Sequence, residues 1–231
     1  MTTLVLVRHG QASFGARNYD CLSGLGIRQS TVLGEYWRRI QPRFDSAWCG
    51  AMERQRHTGE HAFRALGREQ PIQTHAAFDE YDHQGLIQSY LPVVARDHPE
   101  YAVEAREIFG DPRKFQLFFE KIVACWLSGR EGDTPIRETW EQFRRRVLDG
   151  VRAATPPGIE STAVFTSGGA ISVVLQEALG VDGPRAFALN WRIYNASVHT
   201  LLVGRRGLSL MGFNGVAHLE LQNDPQLFTF R

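Results

Sequence analysis

The sequence predicts an α/β protein, a three-layer sandwich with a mostly parallel central sheet and helices on both faces. The main observation is that short apolar runs alternate with amphipathic helical segments over residues 1–77, as parallel strands joined by helices require. The second is size: 231 residues, of which 43% are hydrophobic and 22% charged, can bury one large core. We therefore expect a single domain over residues 1–231.

Composition also limits the partners. The formal net charge is only +1, which favours neither nucleic acid nor a membrane surface as a partner. The cysteines Cys21, Cys49 and Cys125 have no pairing or metal-ligand spacing, which indicates reduced thiols. The N-terminal residues lack the regions of a leader peptide, and no apolar run approaches the ~20 residues of a membrane span. We expect a cytoplasmic protein.

The first predicted strand is the apolar run that starts at Leu4 and ends abruptly in Arg8-His9-Gly10. Open α/β sheets bind ligands beyond the C-terminal tips of their strands. A histidine at such a tip can act as a nucleophile, and a guanidinium can bind two phosphate oxygens at once. His9 and Arg8 are therefore the first candidate site residues.

Helix and strand signals alternate after this turn. Residues 11–22 are polar and are interpreted as a loop near the site, and Ser23 is a candidate N-cap for a helix that ends before Pro42. The elements expected next are a strand at 45–49, a helix at 52–66 and a strand at 71–77.

Residues 84–132 interrupt the alternation, because they contain helical signals and no strand signal. Asp111-Pro112 is a predicted cap and first helical residue, and the helix after it is apolar on nearly every face. We interpret this stretch as a helical cap inserted over the sheet. An ordinary buried core helix is the alternative, since periodicity does not separate the two.

The last third of the chain returns to strands. A helix is expected at 138–153, where Arg144, Arg145 and Arg146 are interpreted as a solvated face, with substrate contact as the alternative. The elements expected next are a strand at 161–166, a turn at 167–169, a helix at 170–179, and a hairpin of strands at 197–203 and 208–213.

Two further candidates follow the second and third strands. Arg54 lies at the start of a helix and could reach an anion at the tip of the first strand, although Arg56 competes with it by pattern. Glu80 follows the third strand, where a carboxyl can act as general acid and base, and Asp79 and Asp82 compete with it.

The turn Ser167-Gly168-Gly169 lies between a predicted strand and a predicted helix. Backbone N–H groups and the positive end of a helix dipole form an anion site at such a place. A tight structural turn is the alternative.

These residues together resemble the histidine phosphatase superfamily, the phosphoglycerate mutase-like enzymes, almost along the whole chain and in the right order. The matching motifs are Arg8-His9-Gly10, Arg54 with Thr58, Glu80, Gly168-Gly169, Leu22-Ser23-x-Leu25-Gly26-x-x-Gln29 and Asn214-x-x-x-His218-Leu219. The resemblance implies an α/β sandwich with a helical lid and a phosphohistidine intermediate. It makes His9 the nucleophile, Arg8 and Arg54 phosphoryl ligands, and Glu80 the proton donor.

Ser167 departs from this pattern, because family members usually carry a second histidine just before the glycine pair. Losing a charge-assisted donor costs about 1.5–3 kcal/mol, or roughly 10- to 150-fold in rate if it acts in the transition state. A serine hydroxyl can donate a neutral bond and recover part of this. None of His57, His61, His75 and His83 is an obvious substitute by position. His199, inside a predicted strand, is interpreted as structural.

The resemblance implies a metal-independent phosphomonoesterase without a cofactor, whose phosphoryl ligands include Ser167 and the backbone amides of Gly10 and Gly168. The expected substrate is a small phosphorylated metabolite. A phosphoglycerate mutase-type phosphotransferase is the second interpretation, and a catalytically silent protein that binds a phosphorylated ligand is the third. The oligomeric state is open, with a homodimer as one alternative.

Overall fold

The computed structural model describes residues 1–13, 20–99 and 112–230. Within them six strands form one sheet of order β3-β2-β4-β1-β5-β6. The strands are β1 (Thr2–Arg8), β2 (Ser46–Cys49), β3 (Ile72–Thr74), β4 (Ser161–Thr166), β5 (Val198–Gly204) and β6 (Gly207–Gly215). The pairs β1–β4, β2–β4 and β2–β3 are parallel, and β1–β5 and β5–β6 are antiparallel. The mostly parallel sheet predicted from the sequence is confirmed.

Eight helices fall within the described part of the chain. They are α1 (Gly24–Ile40), α2 (Glu53–Leu66), α3 (His83–Asp97), α4 (Pro112–Leu127), α5 (Trp140–Ala154), α6 (Gly168–Leu179), α7 (Gly183–Asn190) and α8 (Ala217–Glu220). Among these described helices, none has the length and apolar character needed to cross a bilayer.

The chain divides into two compact units, residues 1–80 with 146–231, and residues 81–145. The first unit contains the whole sheet. On one sheet face Val5 and Val7 pack with Leu33 and Trp37 of α1 in a buried cluster. Because side chains alternate along a strand, Leu4 points to the other face, where it is also fully buried. Both faces are therefore covered, as an α/β sandwich requires.

The second unit has its own aromatic core, in which Trp126 contacts Tyr81, Trp140 and Phe143 with ring centroids 5.2–5.6 Å apart. The predicted cap at 84–132 falls within this unit, and its place over the sheet stays a prediction. Asp111, the predicted cap of α4, lies outside the described residues, as do positions 14–19 of the predicted loop.

Local signals place several boundaries where the sequence predicts them. Ser23 caps α1 by accepting from the Gly26 amide, and α1 ends at Ile40, where Gln41 takes a left-handed conformation with φ of 50°. The predicted hairpin forms between β5 and β6.

Other expectations are wrong in detail. The predicted turn 167–169 is a direct strand-to-helix junction in which Ser167 is the N-cap residue and α6 begins at Gly168. Glycine disfavours helix interiors, but Gly168 is the first residue of α6. A Cβ there would lie 2.0 Å from Asn190 Oδ1, so a larger residue would have to displace the Asn190 side chain. The third strand ends at Thr74, because residues 76–78 form a 3-10 turn.

The sequence interpretation also missed two short helices, α7 and α8. The signals for α7 were present, since Asp182 caps it by accepting from the Arg185 amide and proline occupies its first turn. Helix α8 has only four residues and no side-chain cap, so little local signal marks it.

Candidate active site

His9 follows the last residue of β1 and is held by the backbone on both sides. Its amide donates to Thr166 O of β4 over 2.9 Å, and its carbonyl accepts from the Ala196 amide and from Asn195 Nδ2. His9 as a whole is 7% exposed. Pairing at the centre of the sheet therefore presents a nearly buried imidazole at the strand tip.

The hydrogen bonds of the ring define its tautomer. Nδ1 lies 2.7 Å from Gly10 O, and a carbonyl can only accept, so Nδ1 carries the proton. Nε2 accepts from Arg54 Nε over 3.2 Å. Burial, followed by the charges of Arg54 and Arg8, holds the pKa of His9 well below its ordinary value of 6.5. The ring is thus neutral, with the lone pair on Nε2.

Arg54 lies in the first turn of α2 and is buried, with 6% exposure. Its Nη1 donates to Asp20 Oδ1 over 2.6 Å, and the other oxygen of Asp20 accepts from the Glu53 amide over 2.8 Å. The competing Arg56 instead forms an exposed pair with Glu60 at 2.7 Å. Of the two arginines, the structure brings Arg54 to the imidazole.

Arg8 lies beside the first turn of α6. Its Nη1 donates to Ile193 O, and its guanidinium carbon is 3.9 Å from the position of a Cβ built on Gly168. Two guanidinium groups therefore lie near the tip of β1, one from β1 itself and one from α2. This arrangement suits a dianionic phosphoryl group.

Glu80 reaches the same helix end. Its Oε2 accepts from the Gly169 amide of α6 over 3.1 Å. The competing acids are engaged elsewhere: Asp79 accepts from the Ala51 amide, and Asp82 caps α3 by accepting from the Gly85 amide. Among the three, Glu80 is the carboxyl at the N-terminus of α6.

Ser167 is fully buried at the tip of β4. Its hydroxyl accepts from Gln55 Nε2 over 2.7 Å and forms no cap bond with α6. The Gly10 amide, expected to bind the phosphoryl group, donates instead to Thr58 Oγ1 over 2.9 Å, and it is the Gly10 carbonyl that contacts the His9 ring.

The sequence interpretation did not single out Asp20 or Gln55. Asp20 stands in a polar stretch without periodicity, and Gln55 is one of several polar residues at the start of α2. The only sequence signal that could have pointed to Gln55 is its position directly after Arg54. His199, interpreted as structural, is fully buried and bonded to Ser197 Oγ and the Asn214 amide.

Within the described residues, no group of three or more His, Cys, Asp or Glu side chains is arranged to hold a metal ion. The groups of the described site that could attract an anion are the guanidinium groups of Arg8 and Arg54 and the N-terminus of α6.

The α/β fold, with His9, Arg8 and Arg54 at the tip of β1, fits an enzyme of the phosphatase type. The chain belongs to the histidine phosphatase superfamily (branch 1), whose family profile matches residues 4–215. No curated protein matches the chain.

Several solved structures share the fold. An alpha-ribazole phosphatase from Shigella flexneri aligns with a TM-score of 0.62 and 17% identity, over 94% of this chain and 98% of that one. A phosphoserine phosphatase from Entamoeba histolytica, solved with 3-phosphoglyceric acid, aligns with 0.60 and 16%, over 95% and 100%. A phosphoglycerate mutase from Bacillus anthracis aligns with 0.62 and 15%, over 96% and 97%.

Proposed function

We propose that this protein is a metal-independent phosphomonoester hydrolase that acts on a small phosphorylated metabolite through a phosphohistidine on His9. The observation that carries the proposal is the state of the His9 ring. Its Nδ1 proton is held by Gly10 O, and its Nε2 lone pair lies against the Nε of Arg54. A neutral imidazole with a fixed tautomer is a competent nucleophile.

In the first step His9 Nε2 attacks phosphorus, the N–P bond forms and the bond to the leaving oxygen breaks. Arg8 and Arg54 bind the phosphoryl oxygens, together with the Ser167 hydroxyl and the Gly168 amide. These donors are preorganised by the sheet tips and the start of α6, so they stabilise developing charge with little rearrangement.

Glu80 is the proton carrier. In the first step its carboxyl gives a proton to the leaving alkoxide. In the second step the carboxylate takes a proton from water, the water oxygen attacks phosphorus, and the N–P bond breaks. Inorganic phosphate leaves, and His9 is neutral again. The bond from the Gly169 amide supports this role, because it holds the Glu80 carboxyl at the start of α6.

A substrate panel with two matched variants tests the proposal. The wild type should release phosphate from at least one phosphomonoester in the presence of a chelator, and an acid quench should trap acid-labile phosphate on the protein. His9→Ala should lose turnover and labelling, whereas His57→Ala should keep both. Full activity in His9→Ala would refute the assignment.

Two further assays separate the hydrolase from two other functions. The first is a phosphotransferase of the mutase type, which is considered because the fold is similar to that of the Bacillus anthracis phosphoglycerate mutase. Such an enzyme would isomerise phosphoglycerate when primed with a bisphosphoglycerate. A silent binding protein, which Ser167 would permit, would bind phosphate esters without hydrolysing an aryl phosphate. We favour the hydrolase, because a site without a second histidine is poorly suited to holding highly charged sugar-acid phosphates.

We also propose a cytoplasmic location. It is supported by the three free thiols, of which Cys49 and Cys125 are buried without a partner cysteine.

A further inference from the structure

Gln55 lies fully buried between two elements of the candidate site. Its Nε2 donates to Ser167 Oγ over 2.7 Å and to Phe78 O over 3.0 Å. An amide nitrogen has two hydrogens, so both donors are in use. Gln55 thus connects the tip of β4 with the turn that precedes Glu80, and it follows Arg54 directly in α2.

The orientation of the amide is defined by its partners. Phe78 O can only accept, so the atom that faces it must be the nitrogen of Gln55. The other end of the amide has no such support: Oε1 is buried with no hydrogen-bond donor among the described residues. Leaving a buried carbonyl oxygen unpaired costs free energy. The folded protein tolerates this cost at Oε1 while Nε2 makes both of its hydrogen bonds.

The consequence concerns the Ser167 hydroxyl. A hydroxyl has one hydrogen, and its oxygen already accepts from Gln55, so the hydrogen is directed away from the amide. Arg8 and Thr166 are opposite each other in the parallel β1–β4 pair, so His9 and Ser167 leave the sheet at the same edge. The Ser167 hydrogen is thus not used by the amide, and an anion bound at this edge beside His9 could accept it.

We propose that Gln55 is a positioning residue, whose amide fixes the Ser167 hydroxyl as a donor to the phosphoryl group. The proposal rests on the phosphohydrolase function proposed above. It explains how serine, at the position where family members usually carry a histidine, can donate a hydrogen bond to the phosphoryl group.

The turn before Glu80 does not depend on Gln55 alone. Thr166 Oγ1 also donates to Phe78 O, over 2.6 Å. Arg146 Nη1 donates to Ala76 O over 2.6 Å and contacts Asp79 O at 3.3 Å. What distinguishes Gln55 from these residues is its bond to Ser167, and this difference can be tested.

The test compares Gln55→Met, Ser167→Ala, the double variant and Thr166→Val, with kcat and KM measured on an aryl phosphate. One neutral hydrogen bond corresponds to roughly 2- to 10-fold, so each of the first two variants should lose about that much in kcat/KM. The double variant should be no worse than either single one, because both remove the same donor. Thr166→Val, which loses only a bond to the turn, should stay within about twofold.

Losses of Gln55→Met and Ser167→Ala that multiply would overturn the proposal. It would equally be overturned by an unchanged Gln55→Met, or by a Thr166→Val as impaired as Gln55→Met, since the turn would then explain the effect.

Gln55→Glu tests the proposal through the pH dependence of activity, which would not change if Gln55 had only a structural role. A carboxylate would accept the Ser167 hydrogen and remove it from the phosphoryl group, whereas a protonated carboxyl can donate as the amide does. The activity of Gln55→Glu relative to wild type should therefore rise as the pH falls from about 8 to about 5, towards the carboxyl range. A ratio that is constant with pH contradicts the proposal, and this variant also serves if Gln55→Met fails to fold.

Calorimetric binding of inorganic phosphate to the same variants separates this proposal from the function. If the wild type binds phosphate without turnover, the hydrolase proposal fails, while weaker, non-additive binding by the Gln55 and Ser167 variants still supports the positioning role. Equal phosphate affinity in all variants overturns the positioning role even if the wild type is an active hydrolase.

Discussion

The Nε of Arg54 donates a hydrogen bond to the Nε2 of His9 over 3.2 Å. The Nη1 of the same guanidinium donates to Asp20 Oδ1 over 2.6 Å. The cation therefore lies against the lone pair that the proposed mechanism uses, and it suppresses protonation of that atom. A phosphoryl group that approaches Nε2 meets a donor already in position for one of its oxygens.

This contact predicts an unusual titration of His9. Burial, Arg54 and Arg8 all lower the pKa of His9, so the ring should stay neutral well below pH 6.5. Arg54→Gln removes one of these charges and should raise the pKa of His9. NMR titration of the ring in both proteins measures this, and a His9 that titrates at its ordinary value in the wild type would contradict the structure.

The fork geometry of Arg54 should matter beyond its charge. Arg54→Lys keeps a cation but loses the paired donors that reach His9 and Asp20, so kcat/KM should fall by about 10²-fold. The matched control is Arg56→Lys, on an exposed residue of the same helix, which should stay within about twofold. Unchanged activity in Arg54→Lys would mean that Arg54 acts only through its charge, and equal losses in the two variants would remove the special role of Arg54.

Glu80→Gln should separate the two proton transfers. Nitrophenolate leaves without a proton, so the variant should release about one equivalent of it in a burst and then stall, because no base activates water. An alkyl phosphate needs the acid as well and should give no burst and a loss of about 10²- to 10⁴-fold. Stopped-flow assays on both substrates provide the measurement, with Asp79→Asn as the control. Normal steady-state turnover of the alkyl ester would remove Glu80 from the mechanism.

The first turn of α1 should tolerate alanine at one glycine and not at the other. A Cβ on Gly26 would lie 2.2 Å from Gln11 O, whereas one on Gly24 meets nothing within 4 Å. Gly26→Ala should therefore destabilise the protein by about 1–3 kcal/mol, and Gly24→Ala should be neutral or stabilise it by up to about 1 kcal/mol. Urea unfolding compares them, and similar midpoints would show that the backbone approach between α1 and the residue after Gly10 is absent.

Acid should destabilise the fold through buried histidines. Burial lowers the pKa of His199 to about 3 and of His218 to about 4. The unfolded chain binds these protons near pH 6.5 and the folded protein does not, so stability present above pH 6.5 is lost as the pH falls towards 3–4. Each site contributes up to about 1.4 kcal/mol per pH unit in this window.

The measurement is the pH dependence of the free energy of unfolding between pH 6.5 and 4.5. His199→Gln should show a shallower slope than wild type, by up to one proton. An identical slope in the variant would mean that His199 is protonated in the folded state.

The sequence by itself determined the elements whose signals are local. The apolar run before Arg8, the cap at Ser23 and the stop before Pro42 depend on neighbouring residues. The strand, the helix and the position of Arg-His-Gly at the strand tip therefore followed from them. The family resemblance added the roles expected of His9, Arg8, Arg54 and Glu80.

Only the tertiary structure decided which side chains meet. The choice of Arg54 over Arg56 and of Glu80 over Asp79, and the bond between Gln55 and Ser167, depend on the pairing of β1 with β4, whose residues are far apart in sequence. The close approach of the Asn190 side chain to Gly168, at the start of α6, is likewise a contact between separate elements. Local propensity contains no information about such distant contacts, because they form only when the packed sheet brings the strand tips together.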